Sequence, residues 1–177
     1  MKSFNTFLFF ILLLTSVFSC SKNYFQQTSA SPSYSKTTRY KVILVKPNLV
    51  SSKPLNTDEL VNRSLFHLRA ELSKINFDVL PNDKFEEALR ARSFGGSGNV
   101  SESVAMDAAK SVGASAVAYT EISTESIQGG LPLMATIRIM STADGSQLYS
   151  GKARSDNPAS LEAGLEFAIE KALEGLK

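Results

Sequence analysis

Residues 133–153 read LMATIRIMSTADGSQLYSGKA, and this stretch decides the kind of sheet the chain builds. Leu133, Ala135, Ile137 and Ile139 alternate with Met134, Thr136, Arg138 and Met140. A period of two puts one set on a buried face of a strand and the other on the opposite face. Asp144-Gly145 supplies the turn, so Gln147 to Ala153 returns as an antiparallel partner. Working upstream, Ser115 to Ile122 (SAVAYTEI) is a further strand, separated from the hairpin by Gly129-Gly130 and Pro132. Ser101 opens a helix with Val104, Ala105, Ala108, Ala109 and Val112 on one side, and Gly113 stops it. Before it, Asn82 or Asp83 caps a helix whose inward residues are Phe85, Ala88 and Leu89.

Phe77 to Leu80 is a short strand ending at Pro81. It follows a helix with Asn56 and Glu59 at capping-box spacing and an apolar stripe of Val61, Leu65, Leu68, Leu72 and Ile75. Arg39 to Lys46 (RYKVILVK), closed by Pro47, has the β-branched apolar run of a buried first strand. At the far end Asn157 is the expected cap and Pro158 the first turn of a last helix, with Leu161, Leu165, Ile169, Leu173 and Leu176 facing the core. The order β-α-β-α-α-β-β-β-α implies an α/β (α+β) single domain. Its mixed sheet has about five strands, parallel where helices join them and antiparallel in the late hairpin, packed with amphipathic helices.

The first twenty residues, MKSFNTFLFFILLLTSVFSC, read as a secretory leader. Lys2 is a basic start, and the apolar run Phe7 to Leu14 is too short to cross a bilayer. Cys20 is the only cysteine and sits where the leader gives way to a polar segment. The Val17-Phe18-Ser19-Cys20 end resembles a bacterial lipobox, with Val17 and Ser19 fitting and Phe18 departing from the small residue usual there. That resemblance implies cleavage before Cys20 and acylation of its sulfur and amino group. Several acyl chains, at ~0.8 kcal/mol per buried methylene, hold a protein on a membrane essentially permanently. Ser21 stands where aspartate would signal inner-membrane retention, so the resemblance implies the outer membrane. The expected organisation is a signal peptide at 1–19, a lipidated cysteine and flexible tether at 20–38, and a globular domain at 39–177. Eighteen tether residues reach at most ~60 Å from ~3.3 Å each.

A formal charge of +2 with no Lys/Arg stripe offers no electrostatic footprint for nucleic acid. With one cysteine, expected to be acylated, and one histidine, His67, the usual zinc ligand sets are excluded, and no metal or cofactor is expected. His67 falls beside the apolar stripe of its helix and has no serine or cysteine nucleophile motif to serve. Glu86 and Glu87 are adjacent on a helix and diverge by about 100°, which does not make a catalytic pair. Glu121 and Glu125 straddle a strand end, a common arrangement without specific chemistry. The FGGSGN loop at 94–99 lacks the Lys-Ser/Thr ending of a phosphate cradle and does not follow a strand. Phe94 at its lip is either a core residue or an exposed aromatic anchor for a partner, and Ile127 and Leu131 around Gly129-Gly130 form a second candidate contact. A groove between helix and sheet is a more remote place for an apolar ligand.

Three segments carry a resemblance: RYKVILVKP followed by an amphipathic helix, AAKSVGASAVAYTEI, and IRIMSTADGSQLYSGKA. They resemble the small domain shared by lipoprotein activators of penicillin-binding proteins, curli-type secretion lipoproteins and the N-terminal domain of the periplasmic Tol-system protein. The likeness spans residues 39–177, and its motifs specify turns and core strands rather than a function. It implies a non-enzymatic envelope lipoprotein that binds another protein, or alternatively an oligomeric scaffold or secretion component that binds copies of itself. The long additional hairpins of a curli-type pore have no counterpart here, and the tether is short for reaching a distant inner-membrane partner. Cys20→Ala is expected to give a protein that high salt strips from membranes, whereas the wild type requires detergent. Equal detergent partitioning of the two would overturn the lipid anchor.

Overall fold

The computed structural model describes residues 24–51, 57–92, 101–124, 132–156 and 159–177. Strands β1 (Tyr24–Ala30), β2 (Tyr40–Leu44) and β3 (Asn48–Ser51) precede helix α1 (Thr57–Ser73). Then come β4 (Phe77–Val79), α2 (Asp83–Arg92) and α3 (Glu102–Ser111). Strands β5 (Ala116–Thr124), β6 (Leu133–Ser141) and β7 (Gln147–Ser155) lead to α4 (Leu161–Ala172) and a 3-10 turn at Glu174–Leu176. The sheet runs β1-β7-β6-β5-β2-β4, with β3 also on β5. Pairing of β2 with β4 and β5, and of β3 with β5, is parallel, while β5-β6-β7-β1 is antiparallel. The mixed α/β architecture expected from the sequence is therefore present, with seven strands rather than five.

One face of the sheet packs against α1 and α4. Leu68 and Leu72 of α1 and Leu165, Ile169 and Leu173 of α4 close over the buried alternate residues Leu133, Ala135, Ile137 and Ile139 of β6. Removing such a side chain to alanine typically costs 2–5 kcal/mol, roughly, because a cavity remains. Among the described residues the other face is covered over β2 and β5, where Phe85 of α2 and Ala105, Ala108 and Ala109 of α3 meet Ile43 and Val117. Ser101 caps α3 by accepting from the Val104 N–H, and Gly113 ends it at φ +80°. Asn82 does not cap α2 with its side chain; its Nδ2 donates to the Leu44 carbonyl at 2.8 Å and ties the helix to β2. The cap of α4 is Ser160, whose hydroxyl accepts from the Ala163 N–H, not Asn157, which with Pro158 and Asn56 lies outside the described residues.

Two strands were not legible. Pro47 interrupts the first apolar strand but does not end its course: Leu44 pairs with Ala118, and the chain resumes pairing at Asn48 with Glu121. Val45, Lys46 and Pro47 thus bulge out opposite Tyr119 and Thr120, since proline has no N–H for the ladder. More consequential is β1, which occupies the segment expected to be tether. Its polar sequence YFQQTSA pairs with β7 along its whole length, from Tyr24↔Ser155 to Ala30↔Tyr149. Side chains rather than apolar periodicity hold it there. Gln26 donates to the Lys171 carbonyl and to Glu174, each at 2.9 Å, and Tyr24 lies edge-on to Phe167 at 5.5 Å. Past β1 the chain stays attached: Tyr34 stacks on Tyr40 at 5.8 Å, and Lys36 donates to the Lys177 carbonyl at 2.6 Å.

The seam between α4 and the sheet rests on Gly151. A Cβ there would overlap the Ala172 carbonyl, and it would also come within 2.8 Å of the Tyr149 hydroxyl, which donates to that same carbonyl at 2.6 Å. Gly→Ala at an unstrained site stabilises by about 0.4–1 kcal/mol through the unfolded chain. At Gly151 the sign should reverse, with a loss of about 2–3 kcal/mol from overpacking against backbone. Urea unfolding of Gly151→Ala checks this; an unchanged midpoint would show that α4 shifts freely.

Candidate functional site

The bulge at Val45–Pro47 has a direct consequence on the partly covered face. There the β2–β3 connection, α2, the first turns of α3, and strands β5 and β6 enclose a cleft of about 960 Å³. Its floor is apolar, from Val45, Phe85, Leu89, Ala105 and the ring of Tyr119. Polar groups of both signs stand around that floor: Lys46, Arg90 and Arg138 against Glu86, Glu102 and Glu121.

One part of this rim is internally satisfied. Arg138 on β6 forms an ion pair with Glu102, and its guanidinium carbon lies 5.7 Å from the Tyr119 ring centroid. The Tyr119 hydroxyl donates to the Glu102 backbone carbonyl at 3.2 Å, so the group ties the start of α3 to the sheet. Burial pushes the Tyr119 phenol up to about 12, the Glu102 carboxylate adds to the rise, and Arg138 partly opposes it. Exposed pairs of this kind contribute little to stability, roughly 0–1 kcal/mol, so the arrangement positions groups more than it strengthens the fold.

A second part is not satisfied. Asn82 spends its amide N–H on Leu44 while its buried Oδ1 has no hydrogen-bond partner. The Thr120 hydroxyl, on a residue only 6% exposed, has none either, but Thr120 alternates with Tyr119 and Glu121 and sits opposite Ile137 on the face covered by α1 and α4. Asn82 lines the cleft. Leaving a buried polar atom unpaired costs about 1–3 kcal/mol. A bound molecule that presents a donor to Asn82 Oδ1 and apolar surface to Phe85, Leu89 and Tyr119 would recover that cost. Such chemistry suits binding, and an extended polypeptide with N–H groups and side chains of mixed charge matches it.

Of the residues singled out from sequence, Cys20, Phe94, Ile127 and Leu131 lie outside the described residues, as does Glu125. His67 is half-buried on α1, edge-on to Phe66 at 5.6 Å and away from the cleft. Glu87 is exposed and outside the cleft lining, whereas Glu86 and Glu121, which sequence had paired with other carboxylates, line it from opposite sides. Among the described residues there is no group of three or more His, Cys, Asp or Glu able to hold a metal ion. No described helix is long and apolar enough to cross a membrane. Lys46, Asn82 and Arg138 were missed as site residues because they come from three separate parts of the chain with no shared spacing. The available signal was Pro47 inside a strand-like run, the mark of a bulge.

No protein-family model and no curated protein sequence matches this chain. Solved structures do. A PelC dodecamer from Paraburkholderia phytofirmans is similar with a TM-score of 0.55 at 16% identity, covering 86% of this chain and 97% of that one. The LpoB C-terminal domain from Salmonella enterica gives 0.52 at 20% identity, covering 66% and 82%. Lipoprotein GNA1162 from Neisseria meningitidis gives 0.52 at 19% identity, covering 77% and 94%. At these identities the likeness is one of fold, and it includes proteins of the lipoprotein type without singling out one of them.

The raised phenols give a signed pH dependence. Burial pushes Tyr149 up to about 12, as it does Tyr119, from the ordinary 10.0. A group whose folded value is raised lowers stability only once the unfolded chain starts to release its proton. Stability should therefore be unaffected by these tyrosines below pH 10 and fall as pH climbs towards 12. Ultraviolet phenolate titration of the folded protein should show a late component that shrinks in Tyr119→Phe; a titration identical in variant and wild type would contradict the buried environment.

Proposed function

We propose that this chain is a membrane-anchored envelope lipoprotein acting as a non-enzymatic protein-binding module, an adaptor or activator in cell-envelope assembly. The observation that carries the binding role is the cleft, with its apolar floor and the unpartnered buried oxygen Asn82 Oδ1. The lipobox-like sequence at Cys20 supports the anchor, and the fold shared with the LpoB domain and lipoprotein GNA1162 is compatible with such a role. The reading puts the protein on the outer membrane, with a segment of another envelope protein as the bound species.

A second reading has its own support. PelC, of the same fold, is a dodecamer, and among the described residues β1 is the edge strand of the sheet, with seven uncharged residues, YFQQTSA. An edge strand without charge or proline is a template for pairing with a further chain. Self-association into a scaffold follows from that, and light scattering on the lipidated chain in detergent separates it from the monomeric adaptor.

Asn82→Ala tests the cleft by removing its unpartnered oxygen together with the bond to the Leu44 carbonyl. Loss of that bond is expected to lower unfolding stability by about 1 kcal/mol. The variant should also reduce photo-cross-linking of an envelope protein by probes at Lys46 and Arg90 in living cells. A folded variant that captures the partner undiminished removes the cleft from the binding role.

A further inference from the structure

Pairing of β1 leaves very little chain between the domain and Cys20. Only Ser21, Lys22 and Asn23 separate Cys20 from Tyr24, the first residue of the strand. At ~3.5 Å per residue those four Cα steps span at most about 14 Å, not the ~60 Å of an 18-residue tether. On the lipid-anchor reading, on which this inference rests, the end of the sheet holding Tyr24 cannot leave the membrane surface.

The pairing register identifies that end. Tyr24 is opposite Ser155, Ser155 opposite Leu133, Leu133 opposite Thr124, and Thr124 opposite Ser51, one row across five strands. The next row runs Phe25, Arg154, Met134, Ser123 and Val50. It projects onto the face that α2 and α3 cover over β2 and β5. Phe25 is 43% exposed and Val50 is 50% exposed, while Met134 is half-buried between them and Arg154 pairs with Asp156 at 2.5 Å. Tyr24, itself 38% exposed, has the Lys171 ammonium 5.7 Å from its ring centroid. Large apolar side chains are thus exposed at the end the anchor holds down. Aromatic and apolar groups beside cationic heads suit the headgroup–acyl boundary of a bilayer.

We propose that this sheet end is a lipid-docking surface: Phe25 and Val50, with Tyr24 at the margin, insert into the leaflet that holds the Cys20 acyl chains. The domain then stands on the membrane in one orientation, with the Asp144-Gly145 hairpin turn at the distal end of the sheet. The cleft opens sideways, between the two ends. A partner reaches it by coming to the membrane, not by being reached along a tether.

The chain contains no tryptophan, so a single substituted indole reports alone. Full-length lipidated Phe25→Trp, Val50→Trp and Phe66→Trp would be reconstituted into phosphatidylethanolamine–phosphatidylglycerol vesicles carrying brominated acyl chains. Phe66 is the control: it is 69% exposed, yet lies about 14 Å along α1 from its start at ~1.5 Å per residue. Expected are blue-shifted, strongly quenched emission for Phe25→Trp and Val50→Trp and unquenched emission for Phe66→Trp. Tyr24→Trp substitutes if a variant does not fold. Mass spectrometry of the N-terminal peptide separates the two ways to fail. Acylated Cys20 with Phe25→Trp quenched no more than Phe66→Trp overturns the docking surface and leaves the anchor standing; an unacylated Cys20 overturns both.

Discussion

The Ala172 carbonyl, held by the Tyr149 hydroxyl above the bare backbone of Gly151, is the contact on which the rest of the molecule depends. It sets the distance of α4 from β7 to what only glycine permits. The same hydroxyl lies near Gly175 in the turn that follows, where a Cβ would come within 2.8 Å of the Thr28 Oγ1. Thr28 belongs to β1, so the C-terminal turn and the N-terminal strand fit each other through a second close approach. Gln26, bonded to Lys171 and Glu174, closes that fit with hydrogen bonds.

From that seam the functional geometry follows in two directions. On one side, pairing of β1 shortens the free chain behind Cys20 and brings a row of exposed apolar residues to the anchored end. On the other, the β5-β6 ladder keeps an unbroken register and β6-β7 slips by one residue at Ile139/Met140, while in the parallel half Val45–Pro47 bulges against Tyr119 and Thr120. The cleft is the by-product of that bulge, and the unpaired Asn82 Oδ1 lies at its lining. Stability and binding capacity are drawn from different parts of one sheet. The antiparallel half buries its alternate apolar residues under α1 and α4. The parallel half carries the opening.

Much of this was legible in the order of residues. Alternation in Leu133–Ile139, the Asp144-Gly145 turn, the Ser101 cap, the Gly113 stop and the leucine spacing of α1 and α4 are local signals that tertiary structure did not overrule. They suffice for a mixed sheet with helices on it, since each element's apolar period leaves one way to bury it. Cys20 and the leader before it are likewise a matter of local sequence alone, and so is the expectation of a lipid anchor.

What only the tertiary structure decided has a common physical cause: it depends on groups far apart in the chain. Tyr24–Ala30 has no apolar period and reads as polar linker; it becomes a strand because β7 offers an unpaired edge and α4 offers Lys171 and Phe167 some 145 residues away. Asn82 reads as a helix cap, yet its side chain turns to β2, where its Nδ2 donates to the Leu44 carbonyl and its Oδ1 is left unpartnered. Glu86 and Glu121 acquire a shared cleft only when a proline bulge separates strands that would otherwise close. Local periodicity determines which elements form. Long-range complementarity, which no window of sequence contains, determines where the chain is tied down and where it is left open.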